Sequence, residues 1–365
     1  MASVTALQNT WSILTEMDTR TLRESIHARF PMLILGQRQQ DRQWLADALR
    51  TDPFTRALTP LSPQMSLQPL PSGLRDVQRA ARAKLVFIVV DAETDDARAE
   101  EQALAALLAQ NPHLPVMVVQ LRPNSSQQVY IPLLATWQGA REVVLDPLLQ
   151  QPFSNEFINA LTALLPDAEI PLGHHLPALR PALARKLIHQ TSMSNATYSA
   201  TTGLAELVPA MLIPGNMTDL VVLTKNQGLM AYKIALLMGY DIGLQEMLGE
   251  LAGVLGSGFL WRETARRLVG FIPVWGLIPK IAVAYAGTHL VGDAALYWYA
   301  WHEKMSAEQM HALYARAMTE GREKAASILS KLKRDKRQKQ VKKPRKKLAL
   351  PKPRFIKKKT KIDEG

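Results

Sequence analysis

Residues 36–43 read GQRQQDRQ and follow directly on the apolar run PMLIL at 31–35. A strand that ends in glycine and opens into a helix is where phosphate chemistry is built. Backbone N–H groups wrap the anion, a lysine reaches the terminal phosphates and a hydroxyl holds Mg²⁺, in the pattern GxxxxGK[ST]. Gly36 supplies the first glycine. Asp41 stands at the second, where its carboxylate would repel phosphate. Arg42 replaces the lysine and Gln43 the hydroxyl. Two companion motifs are broken as well. An Asp-x-x-Gly metal and γ-phosphate sensor would fall at 70–73, which reads LPSG, and Leu70 cannot ligate a metal. A base-reading Asn-Lys-x-Asp would follow the strand ending near Val119, where 120–123 reads QLRP. The expectation is a degenerate phosphate loop at Gly36, Asp41, Arg42 and Gln43, with no nucleotide turnover, no catalytic residue and no cofactor.

Other chemistry is sparse. There is no cysteine, which excludes disulfides and thiol catalysis. Of eight histidines only His174 and His175 are adjacent, and neighbours in sequence point apart in most backbones, so no metal site is expected. His289 lies on an apolar stretch, where a hydrogen-bonded core histidine is the simpler reading. Asp91, Glu93, Asp95 and Asp96 cluster where acidic residues commonly open a helix. No GxSxG, HExxH or dinucleotide fingerprint occurs, and no small-molecule substrate is inferred.

The elements that must position these residues follow from hydrophobic period. Apolar, β-branched runs at 31–36, 85–91, 115–121 and 142–146 read as strands covered on both faces. Helical patterns at 41–50, 74–82, 95–110 and 155–165 alternate with them. Residues 7–29 read as a leading amphipathic helix, and 51–72 as a long loop. The pattern predicts an α/β domain, a mainly parallel sheet with helices on both faces. The order of elements resembles a small GTPase domain. The resemblance implies a GTPase-like domain that has lost its nucleotide. An unrelated α/β domain and a divergent GTP-binding protein are the alternatives.

Residues 268–301 read LVGFIPVWGLIPKIAVAYAGTHLVGDAALYWYAW, with only Lys280 and Asp293 charged. Pro273 and Pro279 each remove a helical N–H, and the uncharged pieces on either side of Lys280 are about 18 Å long as helix, short of a ~30 Å hydrocarbon core. Broken helices are therefore expected, packed in a bundle and either buried or set into one leaflet, with a full crossing as the runner-up. Ala284, Thr288 and Gly292 recur at four-residue spacing and would allow close helix packing. Pro273, Trp275, Pro279, Val283, Leu290, Tyr297, Trp298 and Trp301 are the candidate membrane-associating residues. The closing aromatics suit a lipid–water boundary.

The net charge of +12 is unevenly spread. Residues 331–365 carry 17 Lys/Arg against three acids, which is +14, so the rest of the chain is near −2. Such a block repels itself, and disorder is expected from residue 329 onward. Lys342, Lys343, Arg345, Lys346, Lys347, Lys357, Lys358 and Lys359 are the candidate contacts to an anionic surface, lipid or nucleic acid. Phe355 is the tail's one aromatic, so base stacking would be poor. Residues 1–20 lack a basic start followed by an apolar core, so no signal peptide is expected.

Residues 185–188 (RKLI), 223–227 (LTKNQ), Ile234 and Ala235, Gly239 and Tyr240, Arg266 and Arg267, Ile272, Pro273 and Gly276, Thr288 and 292–295 (GDAA) together resemble the YcjF-type family of uncharacterised bacterial proteins. The resemblance covers about residues 176–304. It implies a GTPase-like domain followed by a hydrophobic helical domain, and association with the cytoplasmic face of the cell membrane. The expected organisation is a leading helix at 1–30, the α/β domain at 31–168, a linker and connecting helix at 169–202, the hydrophobic helical domain at 203–328 and the basic tail at 329–365. The expected function is a non-enzymatic, membrane-associated protein whose α/β domain offers a surface to a protein partner. Nonspecific nucleic-acid or ribosome binding through the tail is the alternative.

Overall fold

The computed structural model describes residues 17–71, 73–91, 97–122, 139–150, 152–206, 215–254 and 277–341. The apolar runs form β1 (Met32–Gly36), β3 (Leu85–Asp91), β4 (Val116–Leu121) and β5 (Arg141–Leu145). A further strand, β2 (Met65–Pro69), lies inside the stretch read as a long loop. The five make one sheet, every pairing parallel, in the order β2-β1-β3-β4-β5. The α/β expectation holds. β2 escaped the sequence reading because it is an edge strand, half exposed and ending in proline.

Alternate residues of the central strands feed two cores. Leu33, Leu35, Val86, Ile88, Val116 and Val118 face α3 (Leu74–Ala80) and α4 (Arg98–Gln110). Met32, Ile34, Phe87, Val89, Met117 and Val119 face Leu45 and Leu49 of α2 (Gln39–Arg50) and Phe157 and Leu161 of α5 (Asn155–Leu164). A short α1 (Arg20–His27) precedes β1. It is the described part of the expected leading helix; residues 1–16 lie outside the described residues.

The second core does not stop at the sheet. It continues through Leu172 of α6 (Glu169–His175), Leu179, Leu183 and Ile188 to α8 (Gly215–Leu237) and α10 (Leu277–Trp301). The helical part comprises α6, α7 (Arg180–Glu206), α8, α9 (Leu244–Val254), α10 and α11 (Ala307–Val341). Residues 169–202, expected as a linker and connecting helix, are thus helices in a shared core. Residues 192–202, rich in Ser, Thr and Asn, lie in the second half of α7. Two of the threonine hydroxyls bond within the helix: Thr197 and Thr201 donate to the carbonyls of Met193 and Thr197, at 2.8 and 3.0 Å, whereas the buried Ser192 hydroxyl has no partner among the described residues.

α10 is the central helix of this part, packed against α7, α8 and α11. Its expected break at Pro279 does not occur. The helix runs unbroken from Pro279, its third described residue, to Trp301. Pro273 and Trp275 lie outside the described residues. No helix among the described residues is long and apolar enough to cross a membrane.

The last described helix reaches into the stretch expected to be tail. α11 runs helically to Val341, through the first thirteen residues assigned to a disordered tail. Leu329 and Leu332 pack against the cluster of Ile281, Tyr285, Ala325 and Ile328, and Lys, Arg and Gln are good helix formers. Lys342, Lys343, Arg345, Lys346, Lys347, Lys357, Lys358 and Lys359 lie outside the described residues.

Candidate functional site

In a doubly wound sheet, ligands bind beyond the carboxyl ends of the strands where the strand order reverses. Here that point lies between β1 and β3. Only Gln37 and Arg38 separate β1 from α2, so Asp41, Arg42 and Gln43 sit within the helix. Arg42 is buried, and its Nη1 donates to the carbonyl oxygens of Gly36 at 2.6 Å and Gln37 at 2.9 Å. From α4, the buried Glu100 carboxylate accepts from the Gln37 backbone N–H at 3.3 Å and from its side-chain amide at 2.8 Å. The cation that could have met a phosphate is turned onto the loop's own carbonyls. The loop N–H is taken by the chain's own carboxylate. Gly36 has a packing reason to be glycine: a Cβ there would stand 2.9 Å from the Val89 carbonyl oxygen.

The companion positions are likewise structural. Leu70 is buried in the sheet's first core, and its N–H donates to the Gly36 carbonyl at 3.0 Å. Gln120 is buried within β4 and donates to Glu142 on β5. The side chains of Asp91, Glu93, Asp95 and Asp96 lie outside the described residues.

A second concentration of polar groups lies among α7, α10 and α11, lining a cavity of about 520 Å³. His289 Nδ1 is 2.9 Å from Asp293 Oδ2, one helical turn on. That hydrogen bond raises the His289 pKa above its ordinary value, against the opposing effect of burial. The Tyr285 hydroxyl donates to Glu320 Oε1 at 2.8 Å and lies 3.2 Å from His189 Nδ1. Burial, followed by the Glu320 carboxylate, raises the Tyr285 pKa. Burial, then Lys324, lowers that of His189. Arg185 of α7 and Arg316 of α11 complete the polar lining. Ile188, Leu296 and Leu313 make it apolar elsewhere, and Phe54 from the α/β part closes one side.

The expected lipid-boundary aromatics meet protein. Tyr299 is buried, and its hydroxyl donates to Glu250 at 3.3 Å. Trp298 packs against the shared core. Trp301, half exposed, stands edge-on to Phe54 with centroids 5.6 Å apart. Tyr297 lines the cavity, Leu290 is buried and Val283 is half-buried. His289 is hydrogen-bonded, as its position suggested, but it is half-buried and lines the cavity instead of the core. Among the described residues no group of three or more His, Cys, Asp or Glu side chains could hold a metal.

Several residues that carried the resemblance converge. Asn226 donates to Asn195 Oδ1 at 2.7 Å. Asn195 and Gln227 donate to Thr288 Oγ1 at 2.8 and 3.2 Å, and Thr288 donates back to the Ala284 carbonyl at 2.8 Å. The network ties α7, α8 and α10 together inside the helical part. Gly292, one turn beyond Thr288, lets α10 approach: a Cβ there would stand 2.6 Å from Ile188 Cγ1 and 3.0 Å from Met230 Cε.

Sequence reasoning did not find the cavity. Its polar groups come from three helices far apart in the chain, and only the four-residue spacings of His289 with Asp293 and of Arg316 with Glu320 were legible. Comparison of the chain with family models, with curated proteins and with solved structures returned no match.

Proposed function

We propose that this chain is a non-enzymatic interaction protein of the cytoplasmic membrane surface. Its α/β domain, GTPase-like in the order of its elements, serves as a binding surface for a protein partner, and its basic tail meets anionic lipid. On this reading it is a member of the YcjF-type family that has lost nucleotide chemistry. One observation carries the non-enzymatic part: the crevice at the strand-order reversal is occupied by Arg42, Gln37 and Glu100, bonded to one another's segments. A triphosphate would have to break these bonds and displace a buried carboxylate before meeting any backbone N–H, at a cost of about 1–3 kcal/mol for each group left unpaired.

The membrane part rests on charge. A tail of +14 attracts an anionic leaflet, and each Lys or Arg near it contributes about 1 kcal/mol, screened beyond a Debye length. The apolar content of α10 lends this part less support than its composition suggested, because the helix spends that surface on α7, α8 and α11. Contact through the tail is accordingly the favoured mode, and release by salt its expected signature. The test is fractionation of full-length protein, with and without residues 342–365, before and after a high-salt wash. Salt release that depends on the tail supports the reading. Retention until detergent is added replaces it with an apolar anchor, and co-fractionation with ribosomes or nucleic acid replaces it with the polyanion alternative.

A further inference from the structure

The cavity among α7, α10 and α11 is unused by the reading above. Its volume, about 520 Å³, is within the range of small-molecule sites, roughly 300–1,000 Å³. Its two carboxylates are engaged: Asp293 by His289, Glu320 by the Tyr285 hydroxyl. Its two guanidinium groups are not. Arg185 and Arg316 stand on different helices, exposed at the rim, with no hydrogen bond or ion pair among the described residues. Beside them the wall is aliphatic, from Ile188, Leu296 and Leu313. Two unengaged cations beside an apolar wall select a molecule with an acidic end and a hydrocarbon end. Guanidinium bonds to an anionic oxygen are about twice as strong as neutral ones, and the aliphatic wall favours burial of hydrocarbon.

We propose that this cavity binds a single-chain anionic amphiphile, its acidic head between Arg185 and Arg316 and its chain against Ile188, Leu296 and Leu313. The site is separate from the basic tail, and it stands or falls independently of membrane attachment.

The experiment is isothermal titration of the full-length protein with octyl phosphate below its micellar concentration. Inorganic phosphate and 1-octanol are titrated in parallel. The expected result is saturable binding of one octyl phosphate per chain, with each control weaker by about tenfold or more. Arg185→Gln with Arg316→Gln should weaken octyl phosphate by about tenfold or more, while Arg185→Lys with Arg316→Lys retains most of the affinity. Both pairs are exposed and should leave the far-ultraviolet circular dichroism unchanged. Octanoate is run beside octyl phosphate, and the tighter of the two identifies a carboxylate or a phosphate head as the natural one. Unsaturable uptake, an affinity unmoved by the glutamine pair, or equal binding of inorganic phosphate would each overturn the proposal. An unmoved affinity would assign the anion to the tail.

Discussion

The Arg42 guanidinium lies 2.6 Å from the carbonyl oxygen of Gly36, the residue six positions before it that ends β1. This bond closes the loop on itself. It makes Arg42 a brace for the strand–helix turn.

Arg42→Ala should therefore act on stability and not on turnover. The Gly36 and Gln37 carbonyls would lose a charged donor in a buried setting, and the expected cost is about 1–3 kcal/mol, read as a lower urea midpoint. Neither wild type nor variant should hydrolyse GTP. Turnover by the wild type that Arg42→Ala abolishes would refute the brace.

Thr288→Val should be costly for its size. The isosteric change removes the oxygen that accepts from both Asn195 and Gln227, leaving two buried amides without this partner at about 1–3 kcal/mol each. Thr288→Ser keeps the oxygen and gives up a methyl, so its loss should stay near 1 kcal/mol. Denaturant titration of the pair separates hydrogen bonding from packing. Equal losses would mean that the network contributes nothing beyond volume.

Gly292→Ala tests the close approach of α10. The added methyl meets Ile188 and Met230 at 3.0 Å or less, so overpacking of about 1–3 kcal/mol is expected despite alanine's better helix propensity. Both close atoms of Ile188 are γ carbons, so Gly292→Ala should cost less in an Ile188→Ala background than in wild type. Stabilisation by Gly292→Ala alone would contradict the packing described.

Two histidines should give opposite pH signatures. Burial, then His174, depresses the His175 pKa to about 4 from 6.5. Its contribution is therefore present above about 6.5 and is lost as the pH falls toward about 4, where the unfolded chain takes up a proton first. His289 is raised by Asp293, so its contribution is full below 6.5 and is lost as the pH rises through the folded value. Urea midpoints measured from pH 4 to 8 should fall less on the acid side for His175→Gln than for wild type. For His289→Gln they should lose their advantage on that same side. A His175→Gln profile parallel to wild type would contradict the assignment.

The chain by itself determined what each segment would become where local pattern suffices. Continuous β-branched runs could only be covered strands. Asp41, Arg42 and Gln43 depart from the phosphate-loop pattern in sequence alone, and the charge of the tail is a property of its composition. The tertiary structure decided the rest, because the deciding partners are distant in sequence. β2 is too short and too polar to announce itself and exists by pairing with β1. The Ser/Thr/Asn-rich second half of α7 looks like a gap until Asn195 meets Asn226 and Thr288. Residues 277–301 carry only two charges, and only the arrival of α7, α8 and α11 reveals that their apolar surface is satisfied by protein. Hydrophobic period reports that a face will be buried. What buries it is set by packing between helices, and packing is not a property of any one of them.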